Sequence, residues 1–286
     1  MRILVTGVKG QLGYDCVREL KERGYKDVIG IDIDDLDITD EQAVKSFVKD
    51  LNPDVIMHNA AYTAVDKAEQ EKDKCYRVNV LGTKYIAEAA EMVGAKLVYI
   101  STDYVFPGTG DKYYEVNDIT DPKSVYGKSK LEGELAAKTC SKLFIVRISW
   151  VFGINGNNFV KTMIKLAENH KELNIVCDQI GSPTYTYDLS KLLCDMIETD
   201  KYGTYHATNE NVCSWAEFAE EIFILMKASI IVHHITTEDY FKLKPAQAMR
   251  PLNSRMSKKS LDDAGFKRLP TWQDALNRFM KEMKVL

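Results

Sequence analysis

The stretch that most restricts the fold is Val5-Thr6-Gly7-Val8-Lys9-Gly10-Gln11-Leu12-Gly13. Its glycines have the spacing GxxGxxG. They follow the apolar run Ile3–Thr6 and open a segment of helical period, Leu12–Arg23. Glycine lets the chain turn sharply from strand to helix and approach a phosphate closely. The first N–H groups of a helix have no partner within it, and the helix dipole favours an anion there. A tight turn without a ligand would use the same residues. Its place on the first strand-to-helix turn favours a dinucleotide pyrophosphate. Asp32 stands nineteen residues beyond Gly13 at the end of the second apolar run. A carboxylate there can accept hydrogen bonds from the adenosine ribose, which leans towards NADH. Asp37 lies in the same acidic run. Lys9 in the loop offers counter-charge to a 2′-phosphate, so NADPH and NADH both stay open.

The pattern continues beyond the loop. β-branched runs at Ile3–Thr6, Val28–Ile33, Val55–His58, Leu97–Ser101 and Leu143–Ile148 alternate with helical segments at Glu41–Leu51, Lys74–Val93 and Lys128–Lys138. Strands that alternate with helices predict a parallel sheet covered on both faces. Asp40 is placed to cap the helix entered at Glu41, and Pro53 follows its end. The second half is less regular. Phe159–Asn169 and Ser214–Lys227 read as amphipathic helices, the latter opened by a capping box at Ser214 and Glu217. At 286 residues the chain is long enough for about two domains. The expected fold is α/β, a Rossmann-type doubly wound parallel sheet with a smaller C-terminal substrate domain. Residues 1–150 would hold the dinucleotide, with a few later segments returning to that domain. Residues 151–286 would mainly hold substrate.

Composition excludes several other classes. Lys+Arg 38 against Asp+Glu 42 gives a net charge of −4, which argues against a nucleic-acid partner. The longest charge-free stretch, Ile148–Val160, has thirteen residues and three Asn, too short and polar to span a bilayer. Met1-Arg2-Ile3-Leu4-Val5 runs straight into the loop, so no signal peptide is expected. The six cysteines form no CxxC pair. That predicts free thiols and a cytoplasmic location. The five histidines make no metal pattern, and His206 reads as structural.

Two further blocks carry chemistry. Tyr126-Gly127-Lys128-Ser129-Lys130 puts a phenol and an ammonium at i and i+4 on one helix face. A nearby ammonium favours the phenolate, so the phenol can exchange a proton near neutral pH. Ser101-Thr102-Asp103-Tyr104 follows a central strand and sets hydroxyls at the sheet's C-terminal edge, where open α/β folds bind ligands. Taken singly, YxxxK is a weak signal; the three blocks in this order are a strong one.

These blocks resemble the extended short-chain dehydrogenase/reductase family. The likeness is closer to its dTDP-4-dehydrorhamnose reductase branch, and it covers essentially the whole chain. It is carried also by Asn59-Ala60-Ala61-Tyr62-Thr63-Ala64-Val65-Asp66-Lys67-Ala68-Glu69, Arg147-Ile148-Ser149-Trp150-Val151-Phe152, Asn157-Asn158-Phe159, Asp178-Gln179-Ile180-Gly181-Ser182-Pro183-Thr184 and Arg250-Pro251-Leu252-Asn253-Ser254. The resemblance implies hydride transfer from NADPH or NADH to the C4 ketone of dTDP-4-dehydro-L-rhamnose, giving dTDP-L-rhamnose. It implies that Tyr126 protonates the nascent alkoxide. Lys130 would lower the tyrosine pKa and hold the nicotinamide ribose, and Thr102 would hydrogen-bond the carbonyl oxygen. Gly7, Gly10, Gln11, Leu12, Gly13, Asp32, Asp37, Ala60, Ala61, Tyr62, Asn79 and Lys130 are the expected cofactor residues.

Asp103, Tyr104, Trp150, Asn158, Lys161, Gln179, Arg250 and Asn253 join Thr102 and Tyr126 as expected contacts to a dTDP-sugar. Tyr104 and Trp150 offer flat faces to a deoxy sugar, and Arg250 suits a diphosphate. Core packing of Trp150 and an ion pair of Arg250 are the plain alternatives. Val8-Lys9 departs from the small or polar pair expected in the loop. Met256 stands in place of the usual Leu. Some members use Mg²⁺ at a subunit interface. Asp15 and Asp188 fall near those acids, but two carboxylates are a thin site for a hard cation, so no metal is expected. A monomer or a homodimer would serve equally. Two rivals share the scaffold. One is a nucleotide-sugar dehydratase or epimerase, disfavoured because Tyr104 stands where a dehydratase has a Glu. The other is a non-catalytic dinucleotide-binding subunit resembling that of methionine adenosyltransferase, disfavoured because Thr102, Tyr126 and Lys130 are all present.

Overall fold

A computed structural model describes residues 1–243 and 247–286. Six parallel strands form the main sheet: β1 (Arg2–Thr6), β2 (Asp27–Ile31), β3 (Val55–His58), β4 (Lys96–Thr102), β5 (Leu143–Ile148) and β6 (Gly203–His206). Their spatial order is β6-β5-β4-β3-β1-β2, so the strand order reverses at β1. Successive residues of a strand face opposite sides of a sheet. Ile3 and Val5 therefore enter one core and Leu4 the other. On the first side pack α1 (Gln11–Glu22) and a later helix, Thr186–Ile197. On the second side pack α2 (Glu41–Leu51), α3 (Thr83–Val93) and α4 (Val125–Ala137). Both faces are covered, which is why these strands read as continuous apolar runs.

Local signals set the helix ends. The Asp40 carboxylate accepts the Ala43 N–H at 3.0 Å, and α2 ends at Asn52 in the left-handed region with φ +47°. The segment expected as one helix over Lys74–Val93 is interrupted by a π-helical turn at Arg77–Gly82 before α3. Helix α4 begins three residues earlier than its apolar period suggests, because Ser124 caps it by accepting the Gly127 N–H at 3.1 Å. That early start places Tyr126 in the first turn of α4.

The later chain adds α5 (Phe159–Ala167), then α6, the Thr186–Ile197 helix already placed on α1, then α7 (Trp215–Leu225) and α8 (Trp272–Glu282). The capping box at Ser214 and Glu217 is formed. Phe152, Val160, Phe218, Trp272 and Phe279 make a further core among α5, α7 and α8. All strands of the main sheet run the same way, so the ends of β1 to β5 meet at one edge. No described helix is long and apolar enough to cross a membrane. All six cysteines are free thiols.

Candidate active site

A cavity of about 600 Å³ opens along that edge. At one end the glycine loop carries the chain from β1 into α1. Gly7 has φ +71°, and a Cβ there would lie 2.8 Å from the Ala60 nitrogen. A Cβ on Gly13 would fall on the Gly7 carbonyl oxygen. Only glycine allows these two close approaches. Gly10 is the residue before α1, and no side chain caps that helix end. Its first N–H groups are thus left for an anion. Beyond the loop, Asp32 Oδ2 accepts the Lys9 N–H at 2.8 Å, and Asp32 Oδ1 accepts the Ile33 N–H at 2.9 Å. A carboxylate has further lone pairs, so Asp32 can still accept from a ribose. The Lys9 ammonium pairs with Asp34. The cradle, the uncapped helix end and Asp32 together fit a dinucleotide. Gly7, Gly10, Gln11, Leu12, Gly13, Asp32, Asp37, Ala60, Ala61, Tyr62 and Lys130 all border the cavity.

The cavity continues to the end of β4 and the first turns of α4. Thr102, Asp103, Tyr104, Tyr126, Lys130 and Trp150 line it there. Burial pushes the Tyr126 phenol above its ordinary pKa, and a hydrogen bond with Thr102 opposes that rise. The Thr102 hydroxyl donates to Asp103 Oδ1 at 3.0 Å and accepts the Tyr104 N–H at 3.3 Å. Burial raises the Asp103 carboxyl to about 6, while Ser254 and Thr102 hold it down through hydrogen bonds. The Tyr104 ring stands edge-on to Tyr126, centroids 5.4 Å apart. Lys130 is 3% exposed, and its ammonium lies 4.2 Å from the centre of the Tyr99 ring. Burial lowers its pKa to about 7, against the attraction of Glu134. The sequence reading has Lys130 controlling the phenol. In the fold, burial raises the Tyr126 pKa with Thr102 opposing it, and the Lys130 ammonium, on the same helix face as Tyr126, lies over the Tyr99 ring.

A model of the RmlD substrate binding domain family matches residues 1–285. The chain belongs to the RmlD substrate binding domain family. It is 43% identical over 288 residues to a dTDP-4-dehydrorhamnose reductase of Aggregatibacter actinomycetemcomitans, covering 96% of this chain and 97% of the relative. A crystal structure of a dTDP-4-dehydrorhamnose reductase from Clostridium acetobutylicum superposes with a TM-score of 0.95 at 42% identity, over 99% of this chain and 100% of the other. The Bacillus anthracis reductase, solved in complex with NADP, gives 0.94 at 44% identity, over 98% and 99% of the two chains.

Six expected ligand residues of this RmlD-family chain do not border the cavity. Asn79 lies behind the wall. Its amide accepts the Tyr62 N–H at 2.7 Å and donates to the Tyr62 carbonyl and the Ser129 hydroxyl. Asn158 caps α5 by accepting the Lys161 N–H at 3.0 Å, and it donates to Gln11 Oε1 at 3.0 Å. The Lys161 ammonium donates to the carbonyls of Ile154 and Gly156 at 2.6 and 2.8 Å. Gln179 is buried between Trp215 and Thr237. Arg250 pairs with Asp66 at 2.9 Å. Asn253 donates to the Thr109 and Lys112 carbonyls. These polar groups serve the fold locally, which motif spacing alone does not reveal. The motifs also pass over two residues. His58, kept neutral by burial that lowers its pKa to about 3, touches Thr6, and Thr6 in turn accepts the Ala60 N–H. Trp215 backs Trp150 and was visible in the sequence only as part of a capping box.

The two acids considered for a cation are engaged apart. Asp188 takes a bidentate pair from Arg278 at 2.8 and 2.7 Å. Asp15 accepts from Thr186, and its Oδ1 has no hydrogen-bond partner. No group of three or more His, Cys, Asp or Glu among the described residues could hold a metal. Burial lifts Asp15 to about 6 from 3.8. The proton therefore binds the folded state more tightly than the unfolded one. Stability from this group is complete below about pH 4 and is lost as pH rises through 6. Asp15→Asn should stabilise the protein by about 3 kcal/mol at pH 7. The gain should vanish near pH 4. Urea unfolding at both pH values checks this, and an equal gain at both would contradict it.

Proposed function

We propose that the chain reduces the C4 ketone of dTDP-4-dehydro-L-rhamnose to dTDP-L-rhamnose with NADPH or NADH, the final step of dTDP-rhamnose biosynthesis. One observation carries this reading beyond family membership. Thr102, Tyr126 and Lys130 meet in the same cavity as the glycine cradle. When bound there, the nicotinamide cofactor supplies the hydride.

The chain's own residues manage the oxygen. Burial keeps the Tyr126 phenol protonated, so it acts as the acid and delivers its proton to the substrate oxygen as negative charge develops. Thr102 turns its hydroxyl to that oxygen and adds a second donor. The Lys130 ammonium lies on the same helix face one turn on and stabilises the phenolate left behind. With a pKa near 7, Lys130 can pass on and regain a proton at neutral pH. The carboxylate next to Thr102 is engaged within the protein: Asp103 is buried and accepts from Thr102 and Ser254. Tyr104, where a dehydratase would carry a Glu, brings no charge. These arrangements favour simple reduction over dehydration.

Residues 1–150 hold the cofactor in this reading, and residues 151–286 mainly seat the sugar nucleotide. Lys161 and Arg250 keep spare N–H donors beside their present partners, and these would serve the nucleotide. A coupled assay tests the function. The keto-sugar is generated in situ, and oxidation of NADH and NADPH is followed separately. Rapid oxidation is expected. No oxidation with either cofactor, despite measurable dinucleotide binding, would remove the assignment.

A further inference from the structure

Trp150 has φ +50°, a left-handed conformation that a bulky side chain rarely adopts. It follows β5 by two residues and borders the cavity. The surrounding structure holds it there from two sides. Its ring is stacked on Trp215, with centroids 3.8 Å apart and planes 13° from parallel. Gly181 closes from another side, where a Cβ would come within 2.9 Å of the Trp150 indole. Trp215 is itself fixed. Its indole N–H donates to Gln179 Oε1 at 3.1 Å, the Gln179 amide donates to Thr237 Oγ1 at 3.0 Å, and Thr237 donates to Asp178 Oδ1 at 2.6 Å. Phe159 covers Trp215 further, with centroids 4.6 Å apart. Trp150 borders the cavity, and Trp215 stands behind it.

We propose that Trp215 is a positioning residue for the sugar. It holds the Trp150 indole as a flat plate in the cavity wall before ligand arrives. This inference rests on the reading that the cavity receives a nucleotide-sugar. A preset aromatic plate favours a sugar with an apolar face, such as a 6-deoxy sugar bearing a methyl group. Fixing the plate in advance lowers the ordering cost of binding. The plate takes no part in proton transfer, so its loss weakens ground-state and transition-state binding alike. Loss of such uniform binding raises KM and leaves kcat unchanged.

The experiment compares wild type, Trp215→Leu and Trp215→Phe. In Trp215→Leu, KM for the keto-sugar should rise about tenfold with kcat within about threefold, the pattern of lost uniform binding. NADPH affinity should stay within about twofold, since Trp215 does not border the cavity that the glycine loop lines. The near-ultraviolet circular dichroism signal of the stacked indole pair should disappear. Trp215→Phe keeps a ring but loses the N–H to Gln179, so its KM should fall between the other two. It also decides the matter if the leucine variant does not fold. An unchanged KM in the folded variants, with an active wild type, overturns the positioning role alone. A wild type that binds NADPH but leaves the keto-sugar unreduced overturns the underlying reading instead.

Discussion

Replacing Tyr126 by phenylalanine should lower kcat by roughly 10²–10⁴-fold, the usual contribution of a positioned proton donor. The substitution removes one oxygen and keeps the ring that stands edge-on to Tyr104. The cavity wall should therefore survive, and NADPH should bind Tyr126→Phe within about twofold of wild type, since the change adds no new surface to the cradle. The pairing of these two results is the test. A variant that loses cofactor binding as well would show a role in the wall, not in proton delivery. A variant that keeps full activity would move the acid to another group, with Thr102 the first to examine.

The second large effect lies beneath the site. Glu134 follows Lys130 by one turn of α4. Its carboxylate accepts Arg147 Nε and Nη2 at 2.8 and 2.7 Å and Ser101 Oγ at 2.5 Å. Both members of the pair are nearly inaccessible, at 3% and 6% exposure. Removing one charge of such a pair leaves the other buried and uncompensated. Glu134→Ala should cost about 3–5 kcal/mol of stability. Glu134→Met with Arg147→Met removes both charges and should recover most of that loss, because replacement of a whole buried pair by apolar groups is often near neutral. Guanidinium unfolding of the wild type and the two variants measures the difference. Equal losses in the single and double variants would show that lost packing, not the stranded guanidinium, sets the cost.

The fold was largely legible because its signals are local. The Gly7–Gly13 loop, the apolar runs and the Asp40 cap each act within a few residues, and all agree. The meeting of Thr102, Tyr126 and Lys130 in one cavity was legible for the same reason: Thr102 ends a strand, and Tyr126 and Lys130 share a helix face. The local partners of the outer residues were not. Asn158 and Lys161 look like ligand residues by type, yet one caps α5 and the other holds two carbonyls of the preceding loop. Asn253 likewise ties down residues 109 and 112. A buried backbone group needs a partner as much as a ligand does, and nothing in the spacing says which need a side chain meets. The Trp150–Trp215 stack joins residues 65 positions apart and leaves no periodic trace.

Strand β6 has a consequence for how the chain can be divided. It hydrogen-bonds along β5 from Gly203 opposite Phe144 to His206 opposite Arg147. A fragment ending at residue 150 would keep the glycine loop, Thr102, Tyr126 and Lys130. It would also present the whole of β5 as an open edge, with α1 stripped of the helix that covers it. An unpaired apolar edge recruits other chains. This fragment should therefore aggregate when produced alone. A ribosome making this protein has to pass residue 206 before the sheet can close.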